Sequence, residues 1–202
     1  YTLPENGPAD LIHHFYSFSY ENAHFIFLDS SYMGLQREEY VNWLRNDIAD
    51  NGKTWNILVC HYPLYPAADL DNDVDRANAQ RNIWDSILAE LGIDLVLSGH
   101  QGLYMRTKPA VGGAAATEGP IYILTNSGSR YNTTVSDYDY IDVTYTESSN
   151  FCYFNITDNV LTMTVYDQLL SQIDMLTLTK EAEDSTETEM VEKPTSPMEP
   201  ST

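Results

Sequence analysis

This 202-residue sequence predicts an α/β fold of mixed β-sheets flanked by helices, with antiparallel strands toward its C-terminus. Three observations point there. Over the first two thirds of the chain, short apolar runs alternate with apolar residues at helical spacing, the pattern of strand–helix–strand units in a parallel or mixed sheet. Beyond Tyr138 the apolar period falls to two, as in strands with one wet face. The hydrophobic fraction of 43% and the 15 Tyr supply enough apolar surface, at this length, to bury a core.

The elements follow in order. Ala23 to Asp29 (AHFIFLD) is a short apolar run read as a strand. Tyr40, Trp43, Leu44 and Ile48 lie on one helical face, and Asn51-Gly52 ends that helix with a left-handed cap. Trp55 to Cys60 is a second strand, broken by Pro63 and Pro66. Ile83, Trp84, Ile87, Leu88 and Leu91 mark a second helix closed by Gly92; Ile93 to Leu97 and Pro120 to Leu124 are further strands. Near the C-terminus, Cys152, Phe154 and Ile156 alternate, Asp158-Asn159 forms the turn, and Leu161, Met163 and Val165 alternate with threonines, as do Leu176 and Leu178.

Charge divides the chain. Residues 181–202 carry seven acids, one Lys and three Pro, a charge of −6 out of −20, which leaves −14 on residues 1–180. The tail cannot offset its ordering entropy by burial and is expected to be a disordered acidic linker. An acidic body excludes a broad nucleic-acid face, because phosphate backbones demand basic residues. No apolar run reaches the roughly 18–20 residues of a membrane helix. Two cysteines, Cys60 and Cys152, make no disulfide framework. The chain starts at Tyr1 with a polar, Pro-containing segment, and is expected to be a mature product or a piece of something longer.

Of five histidines, two share a context. Ile57-Leu-Val-Cys-His61-Tyr-Pro63 puts an imidazole where an apolar strand meets a loop, and Leu95-Val-Leu-Ser-Gly-His100 repeats the arrangement. If the strands are parallel neighbours, about 4.8 Å apart, both imidazoles project from the carboxyl edge of one sheet, where open α/β sheets bind ligands. They can then ligate one ion at about 2.0–2.1 Å each. Gly99 is expected to provide the tight turn before His100. The competing reading is two strand-end histidines hydrogen-bonded to nearby loops.

Four segments now support a resemblance. Asn22 to Ser30 (NAHFIFLDS), Val59 to Tyr65 (VCHYPLY), Asp94 to Thr107 (DLVLSGHQGLYMRT) and Ile173 to Lys180 (IDMLTLTK) occur in that order. Together they resemble the C-terminal half of a calcineurin-like metallophosphoesterase, purple acid phosphatase-like, over most of residues 10–180. The resemblance implies a β-sandwich with outer helices, and a dinuclear metal centre (Fe with Zn, Mn or Fe). It implies hydrolysis of a phosphate ester by in-line attack of a metal-bound hydroxide. It makes His61 and His100 ligands of the second metal. The N-terminal motifs that supply the other ligands do not occur here, so the missing half of the same domain becomes an expected partner, and residues 1–180 alone are expected to be inactive and marginally stable. The alternative is a non-catalytic binding or surface module on a degenerate phosphoesterase fold. Export, to the cell surface or beyond, is implied on the same grounds.

Two departures from the family pattern stand out. Gly102 replaces the second His of Gly-His-x-His, and residues 62–78 lack the histidines that touch substrate in plant members, so no catalytic residue is assigned. Asp69, Asp71 and Asp73 imitate the start of an EF-hand loop, but Val74 and Gln80 stand where Gly and Glu are needed, so a solvated loop is expected, including Asp75. His24 reads as a structural residue of a strand, Asp29 as a turn residue, and His13-His14 as non-ligands. Arg106 reads equally as an anion contact or an ion pair. Asn132-Thr-Thr134 and Asn155-Ile-Thr157 are glycosylation sequons, meaningful only on a secretory route.

Overall fold

The computed structural model describes residues 2–35 and 37–181. The acidic tail expected at 181–202 lies outside them, apart from Glu181. In chain order the elements are β1 (Phe15–Tyr20), β2 (Ala23–Leu28), α1 (Glu38–Asn51), β3 (Trp55–Val59), α2 (Asp73–Glu90), β4 (Leu95–Ser98), β5 (Tyr104–Thr107), β6 (Ala110–Val111), β7 (Ala114–Ala115), β8 (Ile121–Leu124), β9 (Ile141–Tyr145), β10 (Asn150–Ile156), β11 (Val160–Asp167) and β12 (Gln172–Thr179).

Seven strands form one mixed sheet in the order β1-β2-β3-β4-β8-β5-β9. Its middle, β2 through β8, is parallel, and β1, β5 and β9 close it antiparallel. Central β8 is buried at all four positions, as a strand covered on both faces must be. β10, β11 and β12 form a separate antiparallel sheet. The α/β class, the mixed sheet and the antiparallel C-terminal strands are as the sequence predicts.

Strand periodicity sorts the core into two clusters on opposite faces of the large sheet. Phe15, Ile26, Leu58, Val96 and Tyr122 pack with Tyr40 and Leu44 of α1 and Trp84 and Leu88 of α2. Their neighbours in sequence, Trp55, Ile57, Leu95, Ile121 and Ile123, pack with Leu161, Met163 and Val165 of β11. The chain is thus layered as helices, large sheet, small sheet. Polar clamps tie the two sheets. Arg106 on β5 bonds Asp174 on β12 at 2.7 Å and Asp142 at 2.5 Å, and Tyr104 donates to Asp174 at 2.6 Å. Of the two readings of Arg106, the structure supplies the ion pair.

α1 places Glu38 and Glu39 in its first turn and stops at Gly52, whose φ of 60° is left-handed as the cap requires. α2 begins at Asp73, ten residues before the first apolar residue that marks it in the sequence. This corrects the loop expectation for Asp73 and Asp75. Polar residues dominate those first turns, but Asp73, Ala77, Gln80 and Trp84 form a buried stripe at helical spacing, and Trp84 Nε1 donates to the Met33 carbonyl at 2.7 Å.

Candidate metal centre

β3 and β4 are parallel neighbours, with Ile57, Leu58 and Val59 opposite Leu95, Val96 and Leu97. The ladder runs on past both strands. Cys60 N donates to Leu97 O at 3.0 Å, and Gly99 N to His61 O at 3.1 Å. These bonds fix the backbone on which His61 and His100 stand, at the carboxyl edge of the sheet. The turn does not fall on Gly99, which has no positive φ. His100 itself adopts φ 73°, and Gly102 φ 70°. A left-handed backbone at a non-glycine residue is costly and persists where surrounding contacts impose it.

The imidazoles meet at that edge. His100 Nδ1 lies 3.3 Å from His61 Nε2, and the rings stand nearly perpendicular with centroids 5.2 Å apart. Ring nitrogens facing each other at this distance either share one proton or offer their lone pairs to a cation. Burial, reinforced by the charges of His100 and Arg76, lowers the pKa of His61 and favours its neutral, ligating form. On its other side His100 Nε2 lies 3.2 Å from Asp73 Oδ1. The Arg76 guanidinium sits 3.9 Å over the Tyr62 ring, which in turn packs edge-on against His100. His61, Asp73 and His100 open into a cleft of about 440 Å³ whose walls include Asp71, Asn126, Arg130 and Tyr131.

Among the described residues no group of three or more His, Cys, Asp or Glu side chains is placed to hold an ion. Cys60, one residue from His61, is no substitute, because burial pushes its thiol up to about 12. The donor set therefore fits two positions of one ion.

Gly102 is more than a vacancy in the motif. Its carbonyl accepts Asn132 N at 2.9 Å and Asn126 Nδ2 at 3.3 Å, so the segment 126–132 clasps it. A Cβ built there would lie 3.0 Å from the Arg130 carbonyl, on a left-handed backbone. The loop and the glycine are fitted to each other.

The other histidines are engaged with partners of their own. His24 is buried, 2.7 Å from Asp47 and 2.9 Å from Ser19 Oγ. His13 pairs with Glu5 on the surface. His14 Nδ1 bonds Asp29 Oδ2 at 2.9 Å, and Asp29 Oδ1 accepts Ser31 N in a local turn. His14 and Asp29 share a second, shallower cleft with His61, a neighbourhood that sequence spacing does not disclose.

Residues 5–104, which include His61 and His100, match the family model for calcineurin-like phosphoesterases. Purple acid phosphatase 18 of Arabidopsis thaliana is 30% identical over 125 residues, 56% of this chain and 26% of that protein. Purple acid phosphatase 21 of the same plant is 29% identical over 117 residues, with the same two shares. The chain thus spans about a quarter of the length of these relatives. Among solved structures, purple acid phosphatase PPD1 from yellow lupin (Lupinus luteus) seeds superposes with a TM-score of 0.64 at 16% identity, over 82% of this chain and 32% of that one. GAP50, the anchor in the inner membrane complex of Plasmodium, gives 0.63 at 16%, over 84% and 54%. At such identities these superpositions speak for the fold, and the family model and plant relatives speak for descent: the chain belongs to the calcineurin-like phosphoesterase family.

Proposed function

We propose that residues 1–180 are the C-terminal part of a calcineurin-like phosphoesterase domain that hydrolyses phosphate monoesters, and that His61 and His100 hold one ion of its dinuclear centre, Fe with Zn, Mn or Fe. The observation that carries this reading is the pair of ring nitrogens facing at 3.3 Å on the ends of two parallel strands, with His61 biased to its neutral form. Bound ions of this kind clamp a phosphoryl group and acidify water. They would also supply the positive charge that a phosphate needs beside a body of charge −14. The chain's own contribution is orientation: the strand ends set the imidazoles, and Arg130 lines the cleft.

The remaining ligands are assigned to the other half of the domain. One face of the large sheet supports this. Tyr16 stacks on Phe27 and Phe18 on Phe25 across β1 and β2, and Phe18, on the edge strand β1, is 43% exposed. We place the protein at the cell surface or outside the cell. Asn155, in an Asn-Ile-Thr sequon, is exposed on β10, whereas Asn132 Nδ2 is buried. No helix among the described residues is long and apolar enough to cross a membrane.

Metal analysis and hydrolysis of a generic phosphomonoester by the full-length protein test the proposal. Two metal equivalents and chelator-sensitive turnover are expected there, and little or no turnover from the 202 residues alone. A full-length protein that is folded and metal-free overturns it. That result would favour a second reading, a non-catalytic binding or surface module, for which the observation is Gly102 clasped by the segment 126–132.

A further inference from the structure

Aromatic rings and a sequon share the outer face of the small sheet. Along β10, Cys152, Phe154 and Ile156 turn inward and pack on the core between the sheets, so Phe151, Tyr153 and Asn155 stand together on the opposite face, all three exposed. Phe151 stacks on Tyr166 with ring centroids 5.6 Å apart. Tyr153 is 58% exposed and lies opposite Thr164, and among the described residues no ring packs on it. Two residues on, Asn155 heads the sequon Asn155-Ile-Thr157 and lies opposite Thr162. Two residues of strand span about 7 Å and keep both side chains on one face. A sugar bonded to the Asn155 amide therefore has the Tyr153 ring within reach, with only threonines beside it. The second sequon offers no such surface: Asn132 Nδ2 is buried, and Asn132 N belongs to the clasp on Gly102.

We infer that Asn155 is N-glycosylated and that the first N-acetylglucosamine of its glycan lies on the Tyr153 ring, covering that part of the small sheet. The modification rests on the extracellular reading above; the packing of sugar on ring rests on β10 alone. In the transfer, Asn155 Nδ2 loses a proton and bonds C1 of the sugar. The bond from C1 to the diphosphate of a lipid-linked oligosaccharide breaks, and the lipid diphosphate leaves. The secretory route supplies that donor. The face of an aromatic ring is negative, and one face of a pyranose presents weakly positive C–H bonds, so the stacked contact is attractive and shields both from water. Because the sugar is tethered two residues from the ring, its effective concentration there is high, and a weak contact suffices.

The test is a double-mutant cycle in the full-length protein, directed into the secretory route of a eukaryotic cell by an appended signal. Mass spectrometry of the purified protein is expected to find a glycan on Asn155. The glycosylated wild type is expected to melt about 2–4 °C above Asn155→Gln, the shift that a contact of aromatic-pair strength gives in a domain of about this size. With Tyr153→Ala in both proteins that gap is expected to close. Trimming the glycan to one sugar with an endoglycosidase should leave the wild-type gap in place, since only the first sugar reaches the ring. A bare Asn155 in the secreted protein overturns the inference. A gap that Tyr153→Ala leaves unchanged, or one lost on trimming, overturns it as well. Should Tyr153→Ala fail to fold, Tyr153→Thr, a good strand former, takes its place in the cycle. Protein made without the appended signal tests the route: if it lacks the glycan while the directed protein completes the cycle, the extracellular reading fails and the packing of sugar on ring stands.

Discussion

His24 on β2 and His100 beyond β4 each face an aspartate through Nε2, Asp47 at 2.7 Å and Asp73 at 3.2 Å, yet the two pairs do opposite work. His24 is 3% exposed, and its Nδ1 is taken by Ser19 Oγ. Asp47 is shared with Ser17, which bonds Asn6 in turn. Every polar atom of that imidazole is spent inside the protein. His100 keeps Nε2 only near Asp73, with no hydrogen bond between them, and turns Nδ1 to His61 at the mouth of a cleft. A buried carboxylate–imidazole pair is therefore no sign of a site. The sign is a second nitrogen aimed at another donor where something can enter.

Substitutions sharpen this contrast. The largest effect is expected at the closed pair. His24→Ala leaves Asp47 facing a void and should cost about 3 kcal/mol in urea denaturation. His100→Ala, at a partly exposed position, should cost under about 1 kcal/mol of stability but lower Zn²⁺ affinity by about 100-fold or more, measured by competition with a chelator. Equal stability losses at the two sites would erase the distinction.

Away from both pairs, the clamp between the sheets provides a pH-dependent control. Burial pushes the Asp174 carboxyl up, but the hydrogen bonds from Arg106 and Tyr104 outweigh it and leave its pKa lowered. A carboxylate with a lower pKa folded than unfolded stabilises the fold above its ordinary value of about 4, and that contribution disappears as pH falls through the folded value. Asp174→Asn should cost about 2 kcal/mol at neutral pH and flatten the acid limb of a stability-versus-pH curve. Gly102→Ala should cost about 1–2 kcal/mol through its left-handed backbone, read from the same denaturation curves.

Most strands were legible in the sequence because each is a short apolar run bounded by a turn, as with Ala23–Leu28, Trp55–Val59 and Ile121–Leu124. β1 was available in the same way, since Phe15 and Ser17 alternate with Tyr16 and Phe18, but the aromatic residues on both faces hide the period. Short β5 and β9 owe their pairing to long-range contacts that no local pattern carries. At the site, strand position brought out His61 and His100. Asp73 did not emerge, because an acidic stretch reads as solvated loop until Gln101 and His100 are seen folding back toward it from 28 and 27 residues away. Residue type puts the tight turn on Gly99, whereas the positive φ falls one residue on, at His100.

The clasp around Gly102 has a consequence for redesign. Where a motif lacks a histidine, one substitution is the natural repair. Here that substitution would meet a backbone that disfavours any side chain and a carbonyl 3.0 Å from its first carbon. Reinstalling an imidazole at this position needs the segment 126–132 to be rebuilt along with it. The departure works as a ratchet: simple to keep, and reversible only by several coordinated changes.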